Sequence, residues 1–526
     1  MTTRFDTDVL IIGSGAAGAV LAATLSASTS KRILLVEKGG YFTSQFFNQR
    51  EWDMRVLLAD DGGRSTADGS IPVRGGECVG GGTTVNYALC LDPIEIVWSN
   101  WRRDFGLRGF SFDPRANDYD VRNLNMPDCL GDVRRRLNIH SPEDREINDN
   151  NRLFESGCRQ LGIATKRFEL NMRDCIGCGY CGEGCAYDRK QGTAITYLVD
   201  ALKRGVQLVH HCDVESLEFR RRGSRLVAVG AAARVRNTRP GSMPNSVPPG
   251  PIRIRASLVI VCGGAVESPA LLQRSGHPDP HDLLGRGLIL HPSVPIIGLM
   301  DRELVNYRGI SGSIYSDAFY ENEGVYYECL FGHPVYGSVV MPFIGREHFD
   351  LMRQFGRIAG FGVLLVDSVD RRNRVRWDRA SEKVVIRYSL GDADRERLRT
   401  AVRRGVEIMF ATGAKEVLLP SLEPVGPLNS PRFRDPSEAK HCAELRFLPH
   451  QTTITSSHCQ ATVKMGENPR TSTVNSRCES HFVDNLMVCD SSSFPTSCGA
   501  NPMVSVMTLA RYQGLRLASE FSRHEG

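Results

Sequence analysis

Four stretches of the chain hold residue types and spacings that could do chemistry. The first is "CIGCGYCGEGCAYDRKQGT", where Cys175, Cys178, Cys181 and Cys185 follow the spacing C-x2-C-x2-C-x3-C. Thiolates so spaced on a glycine-bearing loop can wrap an iron–sulfur cluster, 4Fe-4S or 3Fe-4S, as in ferredoxins. The proline that follows a ferredoxin's fourth cysteine is replaced here by Ala186. Zinc is a second reading, less well matched because structural zinc usually takes two separated C-x2-C knuckles. A cysteine-rich cap holding no metal is the third. Spacing alone leaves all three open.

The second stretch, "DVLIIGSGAAGAVLAATLSAS", places Gly13-x-Gly15-x-x-Gly18 directly after an apolar strand at 8–12 and before a helix at 19–25, with Ala16 and Ala17 inside the turn. The first glycine permits the tight turn, the second admits a pyrophosphate to the backbone, and the third lets helix pack on strand. Helix amides then face the phosphates. "RILLVEKGG" adds a second strand ending at Glu37 and Lys38, with the acid about twenty residues on, where ribose hydroxyls are bound. FAD and NAD both use this fingerprint. The third stretch, "RGGECVGGGTTVNYALC", is a glycine-rich loop whose Gly81, Gly82, Thr83 and Asn86 suit close approach to a ligand. The fourth, in the tail, runs from a strand ending at Asp490 through a Pro/Gly-rich loop to Asn501, Pro502 and a helix from about Met503. A polar loop feeding a helix start suits an anionic or electron-rich ligand.

Other elements must position these. Residues 100–170 are polar, broken by Pro and Asn, and read as loops and short helices. "TAITYLVDALKRG" reads as a helix, "VQLVHHCDVESLEF" as strands, and "PIRIRASLVIVCGGAVESPALLQRSG" as strand, Gly-Gly turn and helix. Between 296 and 390 the runs "SVPIIGLM", "VYYECL", "GSVVMPF", "GFGVLLVDSV" and "KVVIRYSL" predict a largely antiparallel sheet. An amphipathic helix is expected over 392–412, with Leu398, Val402 and Met409 on one face. The Pro/Gly/Ser-rich 241–252 reads as an exposed hairpin tip.

The chain's 526 residues require more than one core. Its net charge of +5 is interspersed, and short arginine runs such as 134–136 and 220–222 read as solvated faces, so nucleic-acid binding is not expected. Sixteen cysteines, scattered outside the cluster, suggest a reducing compartment. No apolar run is long enough to span a bilayer, and the first strand leaves no room for a signal peptide. A soluble, cytoplasmic protein is expected, with docking to a membrane surface left open.

Taken in order, "GSGAAGAV", Glu37, "GGGTTVN", "GGAVESPALLQRSG", "LHP" at 290–292, "HCQATVKMG" and "CDSSSFPTSCGANPMVSVMTLA" resemble the glucose–methanol–choline (GMC) family of FAD-dependent alcohol oxidoreductases over most of the chain. "CGYCGEGCAYDRKQGT", "TYLVDA", "SSFPT" and "NPM" are most similar to its long-chain (fatty) alcohol oxidase branch. Cholesterol oxidases share the His and Asn-Pro pattern more distantly. The resemblance implies an α/β fold: a Rossmann-like FAD-binding domain of the GMC type and a second, substrate domain built on a largely antiparallel sheet with helices. The FAD-binding domain would comprise 1–95, 195–295 and 451–526, the substrate domain 296–450, and the loop-rich 96–194 a cap or part of the substrate domain. It implies FAD as cofactor, with Gly13, Gly15, Gly18 and Glu37 on the ADP half, Val214 approaching adenine through its backbone, and Asn86 beside the flavin. Lys38, Gly81, Gly82, Thr83, Gly264, Asp490, Pro502 and Met503 fall in the matching cofactor segments. It implies His458 as the active-site base and Asn501 as its partner and a cofactor contact, with His291 helping to hold a loop.

The reaction so implied is hydride transfer from an alcohol, apolar or long-chain by the branch resemblance, to flavin N5. Removing the hydroxyl proton builds alkoxide character, for which neutral imidazole is a fitting base and the Asn501 amide a preplaced donor. The acceptor is oxygen, a quinone or a redox protein, reached through the cysteine loop if that loop holds a cluster. A non-redox flavin-bearing lyase is the alternative, and an electron-transfer protein without catalysis a third reading. The chain departs from the family's His-Pro-x-Gly-Thr motif, having His458-Cys459-Gln460-Ala461-Thr462 instead.

Overall fold

Residues 9–12 are apolar without alternation, as a strand buried on both faces requires. In the structure, a computed structural model that describes residues 3–341 and 343–525, they end the strand Thr3–Ile12. It lies between Gly250–Val261 and Ile33–Val36, parallel to both, and Ile33–Val36 pairs in parallel with Gln207–Val209. Leu486–Val488, from the far end of the chain, pairs in parallel with Gly250–Val261. The hairpin formed by Cys212–Arg222 and Arg225–Val235 extends the same eight-stranded sheet in antiparallel sense. The helix Gly18–Ser28 is apolar nearly all round and buried over Gly18–Leu25, because the sheet lies on one side and the helix Met503–Glu525 on the other.

A seven-stranded sheet, antiparallel throughout, stands apart from the first, with Ser293–Leu299, Ile358–Leu365, Val325–Glu328 and Ile314–Phe319 as its centre. One face is covered by the helix Asp392–Ala411, whose Leu398, Val402, Val406 and Met409 pack on Val294, Ile296, Val325, Tyr327, Phe361 and Val363. Period two then sends Ser293, Glu328 and Leu364 to the opposite face. A separate core fills the space around the parallel sheet.

Two expectations change, and a third is met with added detail. The polar stretch 100–170 folds into helices of eleven and twelve residues: Glu95–Phe105, Met126–Leu137 and Asp149–Gln160. Asn125 and Asn148 cap the last two through their side-chain oxygens, and only narrow stripes such as Met126, Cys129, Val133 and Leu137 are buried. "GSVVMPF" is not a strand: its first four residues lie in the helix Pro334–Val340, begun by a proline at its first position, and Pro342 lies outside the described residues. The 241–252 segment does cap a hairpin, but it folds back. Ser242 Oγ accepts from Tyr41 N, Met243 N donates to Tyr41 O, and Asn245 reaches His210 O.

Candidate active site

The two sheets enclose a cavity of about 450 Å³, within the range of small-molecule and cofactor sites. One end is the glycine turn after the first strand. A Cβ on Gly18 would sit 1.8 Å from Gly13 O, so this glycine is demanded by packing, and it is the one expected cofactor residue that does not line the cavity. Gly81, at φ +51°, brings the second glycine loop against the first: a Cβ there would lie 2.9 Å from the Gly15 Cα. Gly13, Gly15, Ala16, Ala17, Glu37, Lys38, Gly81, Gly82, Thr83, Asn86, Val214, Gly264, Asp490, Asn501, Pro502 and Met503 all line the cavity, as does His458.

Glu37 is held rigidly. Ser14 donates to its Oε2 from both N and Oγ, at 2.9 and 2.7 Å, and Gly39 N donates to its Oε1 at 2.9 Å. Burial raises its pKa and these donors oppose the rise. Asp490 accepts from Gly264 N and Ser268 Oγ at 2.8 and 2.6 Å, which ties the tail to the start of the helix Gly264–Arg274. The Thr83 hydroxyl is turned inward, to Gly80 O and Thr193. Asn86 Nδ2 lies against Met503 Sδ at 2.9 Å. The Val214 carbonyl is taken by Arg274. A buried ion network, Arg64–Glu267, Lys38–Glu77 and Lys38–Glu267, closes this part of the wall.

These features fit FAD. Both glycine loops line the cavity, and nothing lies within 4 Å of a Cβ built on Gly82 or Gly264. Glu37, a buried carboxylate in the cavity wall, could accept from ribose hydroxyls.

At the other end His458, His291, Glu328 and Asn501 converge. The rings of His291 and His458 meet edge to face, 5.4 Å between centroids. Burial pushes the His458 pKa down to about 4, so the ring is a free base at neutral pH. His458 Nδ1, His291 Nδ1, Asn501 Oδ1 and Glu328 Oε1 are buried without a hydrogen-bond partner. His291 Nε2 is engaged by Ser497 Oγ at 2.5 Å, and Gln460 Nε2 lies 3.3 Å from it. Gln460 also donates to His458 O and accepts from Cys498 N. The turn after His458 survives without the family's glycine: Ala461 adopts φ +70°, at a cost of roughly 1–2 kcal/mol.

Sequence reasoning did not single out Glu328, Gln460, Ser14, Arg64 or Glu267. For Glu328 a signal existed, since alternation in "VYYE" sets it on the face opposite Val325 and Tyr327.

The four cysteines do not line the cavity. An iron–sulfur cluster finds no support: among the described residues no group of three or more His, Cys, Asp or Glu is arranged to hold a metal ion. The loop is ordered by other means. Gly177 N donates to Cys175 Sγ at 3.4 Å, and Arg189 N and Lys190 N to Cys185 Sγ at 3.2 and 3.4 Å. Cys181 is buried among Ala88, Leu89, Phe168 and Leu170. Lys190 Nζ donates to Cys181 O, Thr84 O and Asn86 O at 2.6, 2.7 and 2.7 Å, bracing the loop against the second glycine loop.

The GMC oxidoreductase family models match residues 7–293 and 369–510. A GMC-type oxidoreductase of Mycobacterium tuberculosis is 29% identical over 511 residues, covering 96% of this chain and 74% of its own. A long-chain-alcohol oxidase of Arabidopsis thaliana is 26% identical over 546 residues, covering 99% and 69%. Among solved structures, pyridoxine 4-oxidase from Mesorbium loti superposes with a TM-score of 0.67 at 19% identity, covering 98% of this chain and 99% of its own. Formate oxidase of Aspergillus oryzae RIB40 gives 0.70 at 14%, covering 99% and 100%. At those identities the two structures speak for the fold. No helix among the described residues is long and apolar enough to cross a membrane.

Proposed function

The chain belongs to the GMC oxidoreductase family of FAD-dependent enzymes, and from that premise we propose that it oxidises an apolar, long-chain alcohol to its carbonyl compound. The observation that carries this reading is the group of unpartnered polar atoms around His458 at one end of a glycine-walled cavity. Unpaired buried groups are costly, and a chain that keeps several together keeps them for a ligand. The long-chain preference rests on the plant relatives and on the apolar Leu89, Leu330 and Leu364 in the same wall.

FAD, when bound, supplies the hydride acceptor. The Gly13–Gly18 turn, Glu37, the Gly81–Gly82 loop and the Gly264 helix start would hold it. His458 takes the hydroxyl proton at a ring nitrogen that burial keeps neutral. Asn501 lines the same end of the cavity and has an amide that could donate to the oxygen on which charge develops. The terminal acceptor would be oxygen, a quinone or a redox protein, in a cytoplasmic setting.

Anaerobic addition of straight-chain alcohols to the purified holoenzyme tests the reading. Bleaching of the flavin absorbance, faster with longer chains, supports it, and admission of air, quinone or a redox protein identifies the acceptor. Carbonyl release with no bleaching would instead favour a lyase.

A further inference from the structure

A base that acts on substrate is ordinarily oriented by a hydrogen bond to its second ring nitrogen. His458 has no such bond, since its Nδ1 is buried without a partner. The turn after it also lacks the proline and glycine of the family's motif, having Cys459, Gln460 and Ala461. Something else must hold the ring. Gln460, fully buried, sends its amide across to the loop that carries Asn501. Its Oε1 accepts from Cys498 N at 2.9 Å, and its Nε2 donates to His458 O at 3.2 Å. The same Nε2 lies 3.3 Å from His291 Nε2. We propose that Gln460 is a positioning residue for the alcohol oxidation inferred above: its amide sets the tautomer of His291 and, with that ring, fixes His458 against the Asn501 loop.

The donor inventory carries the tautomer. A backbone N–H only donates, so Gln460 must turn its oxygen to Cys498 and its NH2 to His291. Ser497 Oγ accepts from Gly499 N at 2.9 Å, which leaves its own hydrogen for His291 Nε2 at 2.5 Å. Two donors on Nε2 put the single proton of a neutral imidazole on Nδ1. Burial keeps that ring neutral, its pKa well below the usual value. The backbone is fixed as firmly. His291 adopts φ +51°, a strained conformation for a residue with a side chain, and Asp367 accepts from both Leu290 N and His291 N, at 3.1 and 2.9 Å. The ring so fixed stands nearly perpendicular to that of His458, at 87°. His458 is thus held by a rigid neighbour and by its own carbonyl, and not through its Nδ1.

Holoenzyme labelled with 15N-histidine is compared with Gln460→Glu and Gln460→Met, the His291 signals being assigned by their loss in His291→Asn. The wild type shows His291 protonated at Nδ1. In Gln460→Glu the carboxylate still accepts from Cys498 N but sets an oxygen where Nε2 stood, so the His291 proton moves to Nε2. Anaerobic mixing with decanol gives the second readout. Flavin reduction slows about tenfold to a hundredfold in Gln460→Glu, the cost of a misplaced base, while the decanol concentration for half-maximal rate and the FAD content stay near wild type. Gln460→Met, which fills the same space without burying a charge, slows it likewise. A wild-type His291 protonated at Nε2 overturns the assignment, and so does a folded, FAD-replete variant of either kind that reduces at the wild-type rate. Neither result touches the oxidase reading. A wild type that no alcohol bleaches overturns that reading, and this assignment with it, and the tautomer spectra, which need no turnover, tell the two failures apart.

Discussion

At the scale of single residues, the site works by withholding partners. His458 carries an unpaired ring nitrogen and a pKa lowered to about 4, so no proton need be shed before it acts. Its replacement by alanine should leave FAD content unchanged and slow flavin reduction by roughly 10²–10⁴, the usual worth of a positioned base. Flavin spectra and stopped-flow absorbance check both halves. Asn501→Ala should slow the same step by about tenfold or more, the loss of one preplaced donor, with the flavin spectrum nearly unaltered. His458 and Asn501 were legible because each sits in a local pattern. Glu328 was harder to see: its meaning depends on which face of a strand is open, and that is set by a helix some seventy residues later.

At the scale of elements, short-range grammar was read well. The strand–turn–helix units at 3–28 and 250–274, the helix Asp392–Ala411 and the tail helix all declared themselves through periodicity and glycine placement. Gly18→Ala forces a Cβ into Gly13 O, and overpacking of that kind should cost about 2–3 kcal/mol and deplete bound FAD. Tm and the flavin-to-protein absorbance ratio report it. What escaped was longer in range. β-branched composition made 337–340 read as extended, whereas a proline start wound it into a helix. The cysteine spacing was visible, but not what braces the loop: Lys190, whose ammonium grips three carbonyls from two loops. Lys190→Met would strand those carbonyls. It should lower stability by about 3 kcal/mol or more and loosen FAD, as thermal shift with and without added cofactor would record.

At the scale of the whole molecule, a parallel sheet and an antiparallel one share a cavity between their cores. Ion pairs close part of its wall. Burial alone would raise the Glu267 pKa, yet Arg64 and Lys38 hold it down to about 2. Arg64→Ala leaves that carboxylate the more distant Lys38, 3.7 Å away, and the field of Arg274. The holoenzyme should lose about 2 kcal/mol, discounted for partial exposure, and FAD should dissociate faster in a dilution assay. A lowered carboxylate contributes stability above its unfolded pKa and loses it as pH falls towards 2, so the wild type should outlast the variant at pH 6 but not in strong acid. The nucleotide turn lies near the chain's beginning, while Asp490, Asn501 and the helix that covers Gly18–Ser28 come at its end. Gly514 rests on Thr24, and Arg511 reaches the same threonine. A nascent polypeptide emerging from the ribosome thus presents half a crevice until Asp490–Met503 and that helix have been made. Removal of the helix from Met503 onward should then yield colourless protein, however intact its leading glycines.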